Sequence, residues 1–99
     1  MIDLPIEQLE EVRRILKFVV PGYRALVFGS RVSGKAERFS DLDLVVVGPE
    51  RLDFRLLERL RNTFSISDLP ITVDVSDWHR LSPEFRSLVE AQCEELPLD

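Results

Sequence analysis

An α/β sandwich with a single core is the fold this sequence predicts, on three observations. Helical and strand-like periodicities alternate along the chain in the order α-β-α-β-α-β-α. The composition, 44% hydrophobic and 31% charged, is that of an ordinary soluble globular protein. At 99 residues the chain holds one domain, over 1–99, and is too short for two. Element order alone leaves open which strands run parallel.

Each element has its own signature. Ile6, Leu9, Val12, Ile15, Leu16 and Val19 recur at helical spacing between Glu7, Glu10, Glu11, Arg13 and Arg14, predicting an amphipathic helix over roughly 5–18 with Pro5 in its first turn. Pro21-Gly22 ends it, and Tyr23 to Phe28 is a short β-prone run closed by Gly29. The polar stretch 30–39, containing Gly34, suits a short helix and a loop. Asp41 to Val47 is the next strand, nearly continuous in apolar residues after its aspartates, as a central strand should be. Gly48-Pro49 marks a turn. Leu52, Leu56, Leu57, Leu60 and Phe64 mark a second long helix, and Ile71 to Val75 alternates as a third strand. Ser82 and Pro83 read as N-cap and first residue of a last helix with a core face of Phe85, Leu88, Val89 and Gln92. The tail from Leu96 is a short strand or frayed.

Charge and cysteine usage exclude several function classes. The net charge is −5 and the basic residues are scattered, which argues against a duplex nucleic-acid binder. A single nucleotide stays within reach, because a metal ion can supply the missing positive charge. No apolar run approaches the ~20 residues that span a bilayer. Met1-Ile2-Asp3-Leu4-Pro5 lacks the pattern of a secretion signal, so the expected location is cytoplasmic. Cys93 is the sole cysteine, which rules out an internal disulfide or a cysteine-based metal site.

The chemistry concentrates in residues 29–44 and at Asp74. Side chains two apart on a strand share a face, so Asp41 and Asp43 project together while Leu42 goes to the other side. Two such carboxylates repel unless a cation lies between them, and Mg²⁺ suits hard oxygen ligands while leaving positions for triphosphate oxygens. Ile71, Val73 and Val75 form one apolar face of their strand, which turns Thr72 and Asp74 the other way. An aspartate there is out of place on strand propensity, so Asp74 is the candidate third ligand. Three carboxylates on neighbouring strands can bind two metal ions, the arrangement for in-line phosphoryl or nucleotidyl transfer. The bland alternative makes Asp41 a cap, Asp43 a solvated strand residue and Asp74 an edge-strand charge. Asp77 competes for the third position, but it lies past the alternation and suits a turn.

Ten residues separate Asp41 from the upstream pair Gly29-Ser30. A glycine at a strand end lets the backbone turn sharply and a ligand come close. Ser30 opens a short helix whose N–H groups attract phosphate, or is simply an N-cap. Arg31, Lys35 and Arg38 lie near enough in sequence to neutralise a triphosphate, with Arg31 the preferred candidate. Phe39 can pack against a base or within the loop.

Gly29-Ser30, ten residues, Asp41-Leu42-Asp43-Leu44, then Asp74 within Ile71 to Val75, resembles the minimal nucleotidyltransferase domains of the DNA polymerase beta-like superfamily. The resemblance covers essentially the whole chain. It implies a small mixed sheet flanked by helices, two Mg²⁺ ions on Asp41, Asp43 and Asp74, and ATP or another NTP held at Gly29, Ser30 and Arg31. The implied reaction is transfer of a nucleoside monophosphate to a hydroxyl with release of pyrophosphate, Asp74 helping to activate the acceptor. Small members of the family are commonly encoded beside a HEPN-domain ribonuclease, act as its antitoxin, and in several cases transfer AMP to a tyrosine of that toxin. One departure stands out: many such antitoxins carry a basic residue where this chain has Ser33, so Arg31 and Lys35 would take over its role. Larger relatives hold base and acceptor with a second domain, so here a partner would complete the site, in a homo- or hetero-oligomer.

Other classes compete. A binding module that neutralises a partner toxin sterically, with weak or no catalysis, is the main alternative. An Asp-x-Asp phosphatase fails because Leu44-Val45-Val46 follows the aspartates. His79 reads as a surface residue, Cys93 as half-buried packing in the last helix, and Trp78 as core or partner contact.

Overall fold

A computed structural model describes residues 2–98; Met1 and Asp99 lie outside the described residues. The order is α1 (Ile6–Val19), β1 (Arg24–Phe28), α2 (Ser30–Ser33), β2 (Leu42–Val47), α3 (Phe54–Ser65), β3 (Val73–Asp77), a 3-10 turn (Trp78–Arg80), α4 (Pro83–Ala91) and β4 (Cys93–Leu96). The four strands form one mixed sheet in the order β3-β2-β1-β4. β1 is antiparallel to both β2 and β4, whereas β2 and β3 are parallel. Parallel neighbours need a crossover, and α3 supplies it.

Alternation sorts the sheet into two faces. Ala25, Val27, Leu42, Leu44, Val46, Val75 and Leu96 point into the core beneath α1 and α3. Val12, Ile15, Leu16 and Val19 of α1 meet Leu57, Leu60 and Phe64 of α3 there, at the helical spacing read from sequence. Asp53 caps α3 by accepting from the Arg55 amide at 2.8 Å. On the opposite face Phe85 of α4 meets Phe28 of β1 edge to face at 5.7 Å. Ser82 caps α4 and Pro83 is its first residue, as expected.

Three expectations need correction. The tail is a fourth strand, and Cys93 begins it rather than sitting in the last helix. β3 runs from Val73 to Asp77, two residues later than expected, because pairing with β2 starts at Leu42↔Val73. Of the predicted core face of α4 only Val89 is buried; Leu88 is 69% exposed. Among the described residues no helix is long and apolar enough to cross a membrane.

Asp77 has a structural role. It is 2% exposed on the core face, accepts from the Leu52 amide at 2.9 Å and the His79 amide at 3.2 Å, and pairs with Arg80. His79 is half-buried and hydrogen-bonded to the Gly48 carbonyl oxygen at 2.7 Å, not a free surface group. Asp77→Ala strands the Leu52 amide in an apolar interior and takes from Arg80 its carboxylate, leaving it the Leu52 carbonyl and the Phe54 ring. We expect a loss of about 3 kcal/mol in urea unfolding.

Candidate active site

The parallel register sets Asp43 of β2 beside Asp74 of β3, about 4.8 Å apart in backbone. Both lie on the sheet face opposite α1 and α3, because their neighbours Leu42, Leu44 and Val75 fill the core. Asp41 shares their parity and stands exposed at the entrance to β2. Asp43 and Asp74 therefore adjoin on one face at one end of the sheet, and Asp41, just outside the strand, is near enough for its charge to act on Asp43. Asp77, of opposite parity, is excluded from the group.

Phe28, the last residue of β1, pairs with Asp43, so the Gly29 turn begins directly beside that carboxylate. Gly29 adopts φ 78, ψ −152, a region reserved for glycine. A Cβ built there would overlap Asp43 Oδ2. The missing side chain is thus a local necessity: the bend and the carboxylate occupy adjoining space. Gly29's carbonyl accepts from the Val32 and Ser33 amides, which turns the chain into α2 with half-buried Ser30 at its start.

Electrostatics record the convergence. The Asp43 carboxyl is pushed above the usual aspartate range, first by burial, then by the negative charges of Asp74 and Asp41. The sign of the pH effect follows. A raised folded-state value means the folded protein holds more protons than the unfolded chain just above the ordinary aspartate range, so stability falls as pH rises through that window. Asp43→Asn should flatten this slope and raise Tm at neutral pH in the presence of EDTA, read by thermal melts across pH.

Among the described residues no three His, Cys, Asp or Glu side chains form a preassembled metal cluster. The donor set nevertheless suits a hard cation: two carboxylates adjoin on one face with a third close by, and the ionised form of Asp43 is opposed by both neighbours' charge.

The other expected ligands fare differently. Arg31 is not turned to this face as a free cation. It is buried, and its guanidinium donates to the main-chain oxygens of Asp3, Arg38 and Ser40. Nothing in the sequence distinguishes such a brace from a phosphate ligand, since both want an arginine beside the turn. Lys35 and Arg38 are exposed, Arg38 lying over the exposed Phe39 ring at 5.2 Å. Phe85, expected on the core face of the last helix, packs against Phe28, the register partner of Asp43, a placement beside the site that the sequence did not show.

A family model described as a nucleotidyltransferase domain matches residues 9–96. The chain is 47% identical over 88 residues to the probable protein adenylyltransferase MntA of Haemophilus influenzae, covering 89% of this chain and 77% of that protein. A crystal structure of a toxin-antitoxin with AMP-PNP aligns at TM-score 0.76 and 26% identity, over 90% of this chain and 72% of that one. A structure of tri-AMPylated Shewanella oneidensis HEPN toxin in complex with MNT antitoxin aligns at TM-score 0.63 and 20% identity, over 93% of this chain and 71% of that one, a likeness of fold alone.

Proposed function

Because the chain belongs to the nucleotidyltransferase domain family, we propose that residues 1–99 act as one minimal domain that transfers AMP from ATP to a tyrosine of a HEPN-type partner, in the cytoplasm, as its antitoxin. The observation that carries this reading is the pairing of Asp43 with Asp74 directly beside a bend that excludes a Cβ. The relative that is a probable protein adenylyltransferase supports the reaction, and the toxin-antitoxin with AMP-PNP supports the nucleotide and the setting.

Gly29 and Ser30 would receive the β- and γ-phosphates at the backbone turn, with the Ser30 hydroxyl as a donor. Asp41, Asp43 and Asp74 would hold two Mg²⁺ ions, which when bound polarise the α-phosphate and neutralise the leaving group. Asp74, exposed on edge strand β3, is the group that meets the acceptor and draws off its hydroxyl proton. The acceptor oxygen bonds to the α-phosphorus, the α–β bridging P–O bond breaks, and pyrophosphate carries away the electron pair. The site lies on an open sheet end, so a folded protein can present its hydroxyl there.

The test is ATP labelled at the α-phosphate, incubated with Mg²⁺, this chain and the HEPN-type partner. Label is expected on the partner with release of pyrophosphate, and none from γ-labelled ATP. Suppression of the partner with no label from ATP or any other NTP would replace catalysis with steric neutralisation.

A further inference from the structure

We propose that Arg31 is a positioning residue that holds the loop delivering Asp41 to the carboxylate site, and that it does not bind the triphosphate. The inference rests on the nucleotidyl-transfer reading above and assigns one residue its part in it.

Arg31 is 4% exposed, in the four-residue helix that follows the Gly29 bend. Burying a guanidinium is costly unless its hydrogens are used. Here Nη1 donates to the Asp3 carbonyl at 3.0 Å, and Nη2 to the carbonyls of Ser40 at 2.8 Å and Arg38 at 3.2 Å. Nε is buried too, with no partner among the described residues. All three acceptors are neutral main-chain oxygens, so the cation is spent on backbone. In return the Arg31 carbonyl accepts from the Asp3 amide at 2.7 Å.

These contacts bracket Asp41. Immediately before it, the Ser40 carbonyl is held by Arg31. Immediately after it, the Leu42 amide donates to the Thr72 carbonyl at 2.9 Å. The turn between is closed by the Glu37 amide on the Ser40 hydroxyl at 2.8 Å and the Ser40 amide on the Glu37 carbonyl at 3.1 Å. Asp41 itself is exposed and lies outside the β2 ladder, so its place depends on these two anchors. Ser30 and Arg31 share one short helix, so the same brace ties the Gly29-Ser30 bend to the segment that carries Asp41. A planar fork reaches acceptors that lie well apart on its two arms; a lysine keeps the charge and loses the span.

Arg31→Lys and Arg31→Ala are compared with wild type in the α-labelled ATP assay with the HEPN-type partner. Amide hydrogen exchange is followed over residues 36–42. In both variants we expect kcat to fall about 100-fold, the effect of a catalytic group displaced by an ångström. KM for ATP should be little changed, and faster exchange should be confined to that loop. A triphosphate ligand would behave oppositely, with KM raised in Arg31→Ala and restored by Arg31→Lys; that result, or wild-type kcat in Arg31→Lys, overturns the proposal. Should neither variant fold, Ser40→Gly loosens the same turn without touching the buried arginine: reduced kcat supports the proposal, and unchanged kcat overturns it. Absence of label with the wild-type chain would instead count against the transfer reading itself.

Discussion

Asp43→Ala will remove nucleotidyl transfer, by about 10³-fold or more, and will leave the fold at least as stable as the parent. The two halves of this expectation have one origin. Asp43 is the central carboxylate, paired with Asp74 across β2–β3 and preceded by Asp41 on the same face. Its ionised form is opposed by burial and by both neighbours, so the folded chain tolerates that charge without gaining from it. If it helps to hold the cation at the reacting phosphate, its loss forfeits several kcal/mol of transition-state stabilisation, which at 1.36 kcal/mol per decade gives that factor. Transfer of α-label and urea unfolding, run on the same preparations, check the prediction. Retained transfer would remove Asp43 from the reaction. Lost transfer accompanied by a large fall in stability would mark it as a structural residue.

Gly29→Ala should be nearly as damaging for a different reason. The residue's φ of 78 and ψ of −152 already cost any side chain, on the order of 1–3 kcal/mol. In addition the new methyl would overlap Asp43 Oδ2, so relief must come from moving that carboxylate or the bend. We expect a loss of about 3 kcal/mol in stability and about 100-fold in kcat at a temperature where the variant is folded. Gly34→Ala is the control. It too has positive φ, 86, but a Cβ there meets nothing within 4 Å. It should lose about 1 kcal/mol and keep most of its kcat. Equal damage from both substitutions would mean that backbone strain, not the collision with Asp43, is responsible.

Much of this was legible beforehand, and particular residues show why. The apolar spacing of α1 and α3 reports directly which side of a helix is buried, and both helices fall within a residue or two of expectation. Alternation told which aspartates share a face, since parity survives an error in strand limits. β3 was placed two residues early, yet Asp74 still emerged opposite the core. What alternation cannot tell is which strands adjoin, so the meeting of Asp43 with Asp74 became visible only with the register. β4 reads in the sequence as a short strand or frayed tail that starts too late, at Leu96, because Cys93-Glu94-Glu95-Leu96 is short, half polar and at an edge. Leu88 misled because helical spacing locates a stripe without saying whether anything covers it. The bracing by Arg31 was the least legible feature: its carbonyl acceptors come from Asp3, Arg38 and Ser40, and main-chain acceptors leave no trace in residue identity.

The side-by-side run of β2 and β3 also dictates where this chain tolerates changes of length. The two strands are joined through α3 and the segment 66–72, whose start at the exposed Ile66 can gain or lose a residue, whereas Ile71 is buried and the Thr72 carbonyl holds the Leu42 amide. Within β3 there is no such latitude. One residue added or removed ahead of Asp74 would turn that aspartate inward beneath the helices and bring an aliphatic neighbour out in its place.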